Sequence, residues 1–262
     1  MSADEPAASR VRVGPLVCAY HDEIGPETSP SAQTAPADPA DSFRRDTPAL
    51  IDKYLEEHPV RKLQIGSGSS RLKGWLNTDI EPGTGGLAFL DATKRFPFED
   101  GELHYIFSEH VIEHLSYDEG KFMVAEAYRV LAPGGKMRIS TPDLARFIAL
   151  FDKDPGEEAR AYIVGKLAWH EWPKDPNPAA IILNLQMSSW GHKFMYDVET
   201  LGAMLSRAGF RNLQEFEENI SGDEHLRDLE ARDTGVNKRW SDYETMSIEV
   251  EKPRATTEIR ER

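Results

Sequence analysis

Strand-length apolar runs alternate with helical patterns through the middle of this chain, at Lys62–Ile65, Trp75–Ile80, Gly86–Leu90, Leu103–Phe107 and Lys136–Thr141. That alternation demands a parallel sheet covered by helices, because each pair of parallel strands needs a crossover. Two more runs, near Phe210–Phe216 and the alternating Met246, Ile248 and Val250, bring the strands to seven. The last reads as an antiparallel edge. The expected fold is α/β, a doubly wound, mostly parallel seven-stranded sheet with helices on both faces.

Boundary signals divide the rest. Residues 1–42 are rich in Ala, Pro, Ser, Asp and Glu, with only Val11–Tyr20 suited to packing, and are expected to be a flexible leader. Thr47-Pro48 predicts a cap and first turn for a helix carrying Leu50, Ile51, Tyr54 and Leu55. Ser116 with Glu119 forms a capping box, and Pro133-Gly134-Gly135 is expected to stop that helix and turn the chain into the next strand. Thr141-Pro142 opens another helix, with Leu144, Phe147, Ile148 and Phe151 on one side. Asp197 and Gly209 bracket a third, with Val198, Leu201, Leu205 and Ala208 inward. Between them, residues 169–196 hold three of the five tryptophans and three prolines, and predict an irregular lid or substrate wall. The domain is expected to span 43–252, with 253–262 a tail. Asp223-Glu224-His225 reads as a solvated helix start, and Arg129 as structural.

Charge and length narrow the function. A net charge of −14 repels nucleic-acid backbones and anionic lipid surfaces alike. One cysteine, Cys18, cannot make an internal disulfide or a thiolate metal cage. No apolar run approaches the roughly 18 residues of a spanning helix. The expectation is a soluble cytoplasmic protein acting on a small molecule, without nucleic-acid or membrane partners.

Chemistry concentrates at the strand tips. Leu63-Gln64-Ile65-Gly66-Ser67-Gly68 is an apolar strand entering a glycine turn, where a ligand can approach the backbone closely. Arg71 stands where a dinucleotide fingerprint would place its third glycine, which disfavours a dinucleotide. The next strand ends in Asp79, where ribose-binding α/β folds put a carboxylate for the sugar hydroxyls. Asp91, after the third strand, suits either an adenine edge or a turn cap. Only 12 residues separate Gly66 from Asp79, so the crossover must be tight, about one helical turn at most.

With Lys73-Gly74-Trp75-Leu76-Asn77-Thr78-Asp79, Ser108-Glu109-His110-Val111-Ile112-Glu113-His114-Leu115, Glu126 through Gly135 and Thr141-Pro142-Asp143-Leu144, the chain resembles the class I S-adenosylmethionine-dependent methyltransferases. The likeness is to a small bacterial group with Gly-x-Gly and Lys-Gly-Trp-x-Asn-x-Asp motifs. It implies a Rossmann-like fold and S-adenosyl-L-methionine as cofactor. By this resemblance Gly66 and Gly68 line the methionine part, Asp79 holds the ribose hydroxyls, Asp91 and Ala92 face the adenine, Ser108, Glu109 and His110 close the site, and Ser67, Ile80 and Thr93 complete the cofactor-binding set. The implied reaction is methyl transfer to an oxygen or nitrogen of a small molecule, such as a sugar or secondary metabolite.

Trp169, His170, Trp190, His192 and Tyr196 combine aromatics with imidazoles and are the expected acceptor wall, with His192 and His110 as candidate bases. His110-Val111-Ile112-Glu113-His114 also matches an H-x-x-E-H zinc pattern, but that pattern needs a helix and a third ligand, and no metal is expected. Two rival readings are a non-catalytic cofactor-binding member of the fold and a nicotinamide-dependent oxidoreductase.

Overall fold

The computed structural model describes residues 39–81, 86–169, 177–230 and 236–254. Most of the expected leader, His170 and most of the expected tail fall outside them, as does the side chain of Trp169.

Helix α1 runs Pro39–Glu57, eight residues ahead of the expected cap. Thr47 is not a cap: its hydroxyl donates to the Phe43 carbonyl one turn back and accepts from the Phe89 amide, so the helix passes through Pro48. Tyr54 then fastens α1 to the sheet, its hydroxyl donating to the Lys62 carbonyl at 2.9 Å and accepting from the Lys62 amide at 2.8 Å.

The strands are β1 (Lys62–Ile65), β2 (Leu76–Asp79), β3 (Ala88–Phe89), β4 (Leu103–Glu109), β5 (Leu131–Pro142), β6 (Arg211–Phe216) and β7 (Thr245–Glu251). They form one seven-stranded sheet in the order β3-β2-β1-β4-β5-β7-β6. β1 through β5 are parallel to one another, and β7 is antiparallel to both β5 and β6. The antiparallel strand thus lies one place in from the edge, which suits its nearly complete burial. The switch in order at β1/β4 puts the carboxyl tips of β1, β2 and β4 side by side, where open α/β sheets bind ligands.

Helix α2 (Tyr117–Val130) carries the capping box, with the Ser116 amide on Glu119 at 2.8 Å. It ends earlier than Pro133-Gly134-Gly135 suggested. That tripeptide lies inside β5, where Gly134 takes a positive φ and its amide bonds the Lys252 carbonyl. Helix α3 (Leu144–Ala149) is capped by Asp143 and buries Phe147, but Ile148 and Phe151 are about half exposed, because only one turn is covered. Helices α4 (Gly156–Trp169) and α5 (Pro178–Ser188) join α3 in a second core of Phe147, Leu150, Tyr162 and Ile182. α5 corrects the irregular reading of 169–196: Asn177 caps it and Pro178 opens it, but its Ala-Ala-Ile-Ile-Leu run shows no period. Helix α6 (Val198–Ala208) is bracketed by Asp197 and Gly209 as expected. Helix α7 (Val236–Glu244) leads into β7.

One sheet face is not covered by helix alone. Trp75 and Phe107 pack against Leu226 and Leu229, which belong to a looped segment after β6. Asp223 is correspondingly no solvated helix start: it is a mostly buried turn residue paired with Lys136 at 2.8 Å.

Candidate functional site

The β1–β2 crossover contains no helical turn, only tight turns, and side chains hold its shape. Asn77 accepts from the Leu72 amide at 2.8 Å and donates to the Trp75 carbonyl at 3.0 Å. Arg71 reaches back to the Ser67 hydroxyl at 2.8 Å and to the Gly68 carbonyl. The missing third glycine is therefore replaced by a guanidinium brace. Neither Arg71 nor Asn77 figured among the expected site residues, though Asn77 stands within the motif that signalled them.

The two glycines of the turn do different work. A Cβ on Gly66 would stand 2.2 Å from a Val111 methyl, so its φ of +67° and its missing side chain let the segment after β4 close over it. Around Gly68, at φ +52°, no described atom lies within 4 Å of where a Cβ would be. Its amide donates to Asp79 Oδ2 at 2.8 Å, while Oδ1 accepts from the Glu81 amide at 3.2 Å. Turn and carboxylate are thus one unit. Beside them Ile80 is 55 % exposed, an apolar side chain left facing outward at the tip of β2.

Asp91 caps its own turn, accepting from the Thr93 amide at 2.9 Å and hydroxyl at 2.7 Å, and Ala92 lies in the main core. Ser108 is fully buried, and its hydroxyl has no hydrogen-bond partner among the described residues. Glu109 is buried beside it.

At the tip of β4 the backbone of His110 takes a φ of +50°, uncommon for a residue with a side chain and concentrated at functional sites. Its Nδ1 lies 2.9 Å from Glu113 Oε1, and its Nε2 lies 3.4 Å from the Thr245 hydroxyl. Glu113 has no exposed surface, and Oε2 accepts from the Thr141 hydroxyl at 3.0 Å. Burial pushes its carboxyl up, but the His110 hydrogen bond and charge, aided by its own backbone amide and by His114, outweigh that and hold it below the ordinary carboxylate range. Glu113, Thr141 and Thr245 were missed as site residues; the H-x-x-E-H motif was the available signal.

His192 lies across from this pair. The Lys193 and Phe194 amides donate to the Glu113 carbonyl at 2.8 and 3.2 Å, strapping the loop to the motif. The His192 ring packs edge-on to His114, 4.9 Å between centroids, and tilts against Trp190, which is exposed and also left-handed. Tyr196 does not belong to an acceptor wall. It is fully buried, its ring against Phe194 and its hydroxyl toward Gly120 of α2, because its backbone pairs with Asp143 and carries it into the core.

Residues 63–139, less than half of the chain and without Thr141, the His192 loop and Thr245, match the family model described as a methyltransferase domain. Over that stretch the chain is similar to methyltransferase domains. Solved structures similar to it include an S-adenosylmethionine-dependent methyltransferase from Archaeoglobus fulgidus, 16 % identical over 81 % of this chain and 97 % of that one, with a TM-score of 0.44. The YcgJ protein of Bacillus subtilis is 14 % identical, over 78 % of this chain and 98 % of that one, with a TM-score of 0.42. Phosphoethanolamine N-methyltransferase 2 of Haemonchus contortus is 12 % identical, over 80 % of this chain and 53 % of that one, with a TM-score of 0.40. No protein of curated function matches the sequence. Among the described residues of the chain, no helix is long and apolar enough to cross a membrane.

Proposed function

We propose that this protein transfers a methyl group from S-adenosyl-L-methionine to an oxygen or nitrogen of a small molecule, such as a sugar or secondary metabolite, held at the tips of β1, β2 and β4. The observation that carries this reading is the Gly68–Asp79 unit: an open backbone and an acid, fixed 2.8 Å apart at the switch point of the sheet. Asp79 is suited to the ribose hydroxyls, with lone pairs left after its two backbone bonds. Gly66, Ser67 and Gly68 flank the methionine part, Ile80 and Ala92 the adenine, and Ser108 to His110 the far wall, where the unpartnered Ser108 hydroxyl awaits a polar neighbour. Asp91 and Thr93 act here by holding the loop rather than by reaching the base.

When bound, the sulfonium supplies an activated methyl group, and the chain's task is to align an acceptor and take its proton. His110 is suited to that task. If its Nδ1–H donates to Glu113, the lone pair lies on Nε2, and the buried carboxylate orients the ring and stabilises its protonated form. His192, the other candidate base, stands with Trp190 on the acceptor side. A cleft of about 750 Å³ opens beside Thr245, lined also by Arg146, Tyr162, Trp240 and Tyr243, a size that suits a small metabolite.

Two measurements test the reading. Calorimetry should detect S-adenosylhomocysteine binding that Asp79→Ala weakens by about 10- to 100-fold, the loss of a hydrogen-bonded charge; unchanged binding refutes the assignment. With methyl-labelled S-adenosylmethionine and a cell extract, label should enter the small-molecule fraction. Label confined to protein or nucleic acid refutes the acceptor class.

A further inference from the structure

We propose that Glu113, His114 and His192 form a binding site for one divalent first-row transition-metal ion. One ligand atom from each of the three lies within 4.8 Å of the other two. They come from two chain segments, the 3-10 turn Ile112–His114 and the loop after α5, and the paired amide bonds of Lys193 and Phe194 to the Glu113 carbonyl keep those segments in register.

The hydrogen bonds behind the ligands are those a metal site needs. His192 Nδ1 lies 2.6 Å from the Gln186 carbonyl, and a carbonyl only accepts, so Nδ1 carries the hydrogen and the lone pair stands on Nε2. A backbone carbonyl fixing the tautomer of a ligating histidine is the usual outer-shell arrangement. Glu113 is fixed in the same way, by His110 on Oε1 and Thr141 on Oε2, and of about four lone-pair sites these two bonds and that of its own amide leave one for an ion. Its charge partners among the described residues are imidazoles, not lysine or arginine. A fully buried carboxylate so placed is costly to keep, and a divalent ion would neutralise it.

The donor set selects the ion. Two imidazole nitrogens and one carboxylate oxygen suit zinc, iron or manganese, whereas magnesium and calcium take oxygen ligands. Three protein ligands leave coordination positions open, as catalytic sites do. With metal–ligand distances of about 2.0–2.1 Å the three atoms would draw together on binding, a movement open to the partly exposed imidazoles of His114 and His192. The motif is thus explained differently from a helical zinc motif: because the residues form a 3-10 turn, His110 stands behind Glu113 and supports it, and the third ligand arrives from residue 192. Resting on the reading above, an open position on this ion is a place for an acceptor oxygen, one turn from the Val111 that packs on Gly66.

The test uses the full chain, stripped with a chelator, titrated with Zn²⁺ by calorimetry and with Co²⁺ by visible absorption. One Zn²⁺ per chain is expected, with Mg²⁺ giving no comparable binding. His114→Ala and His192→Ala should each weaken Zn²⁺ by about 100-fold or more, and His110→Gln, which removes only support, by about 10- to 100-fold. Melting curves check each variant, and His192→Asn replaces any alanine variant that has lost its fold. The proposal is overturned if the wild type binds Zn²⁺ no tighter than the His114→Ala/His192→Ala double variant, or if the Co²⁺ spectrum ignores the loss of His192. S-adenosylhomocysteine binding, measured on the same samples, separates the outcomes. Its persistence without Zn²⁺ binding sinks this inference alone, and its absence with Zn²⁺ bound sinks the cofactor reading alone.

Discussion

Two clusters of buried charge lie along β5, three residues apart, and they are finished in different ways. Around Arg138 every branch of the guanidinium is used: Nε donates to Glu230, Nη1 to Glu249 and the Ile220 carbonyl, and Nη2 to the Glu217 carbonyl. Glu230 also takes the Ser140 hydroxyl and the Asn219 amide. Around Thr141, by contrast, the single carboxylate of Glu113 is ringed by imidazoles. A guanidinium stays protonated at any working pH, whereas an imidazole exchanges protons and binds metals near neutrality. Burial of charge is common to both; the chemistry of the cation separates a fastening from a reactive centre.

Substitutions can set the two apart. The largest effect is expected from Arg138→Met, which leaves two buried carboxylates without their cation and should cost about 3–5 kcal/mol in urea unfolding; a loss under about 1 kcal/mol would mean that the cluster is no fastening. His110→Gln at the other cluster should leave unfolding nearly unchanged while slowing turnover of a hydroxyl acceptor by on the order of 100-fold, visible in single-turnover kinetics. If stability falls instead, His110 belongs with Arg138.

Smaller effects test the glycine turn and a third charged group. Gly66→Ala must move Val111 and should destabilise by about 1–3 kcal/mol, whereas Gly68→Ala meets open space and carries only the backbone penalty of about 1 kcal/mol; paired melting curves decide. Smallest is the acid response of Glu126. Its hydrogen bond from Arg129 holds its carboxyl below the ordinary 4.5, despite an opposing contribution from burial. The folded state therefore takes up a proton less readily than the unfolded one, so this contribution is complete above 4.5 and fades as pH falls through the lowered value. In Arg129→Met the melting temperature should lose part of that acid dependence.

The fold was legible where local and global signals agree. The β1 strand, the Ser116 cap and the Asp197–Gly209 bracket appear as the residues require, since each end is set by its own side chains. Signals set by distant partners were not. Pro48 reads as a helix start until the Thr47 hydroxyl is seen to be engaged by Phe43 and β3, and α5 lacks a period because it is apolar nearly all round. At the candidate site, Gly68 and Asp79 meet as spacing and motif implied, while Tyr196 went to the core because its role depends on the Asp143 bridge, which no local pattern announces. The H-x-x-E-H motif named its residues but not their partner, because residue 192 is brought there by the strap on Glu113.

The Asn77 clamp makes chain length itself a specification. Between Ser70 and Asn77 there is no helix to absorb a change, so one inserted residue either breaks the bonds to Leu72 and Trp75 or slips β2 by one step against Leu63. A one-step slip turns alternate side chains to the opposite face of a sheet, and Asp79 would then point away from Gly68. An insertion here should therefore be as damaging as removing the acid, although every residue of the motif would still be present.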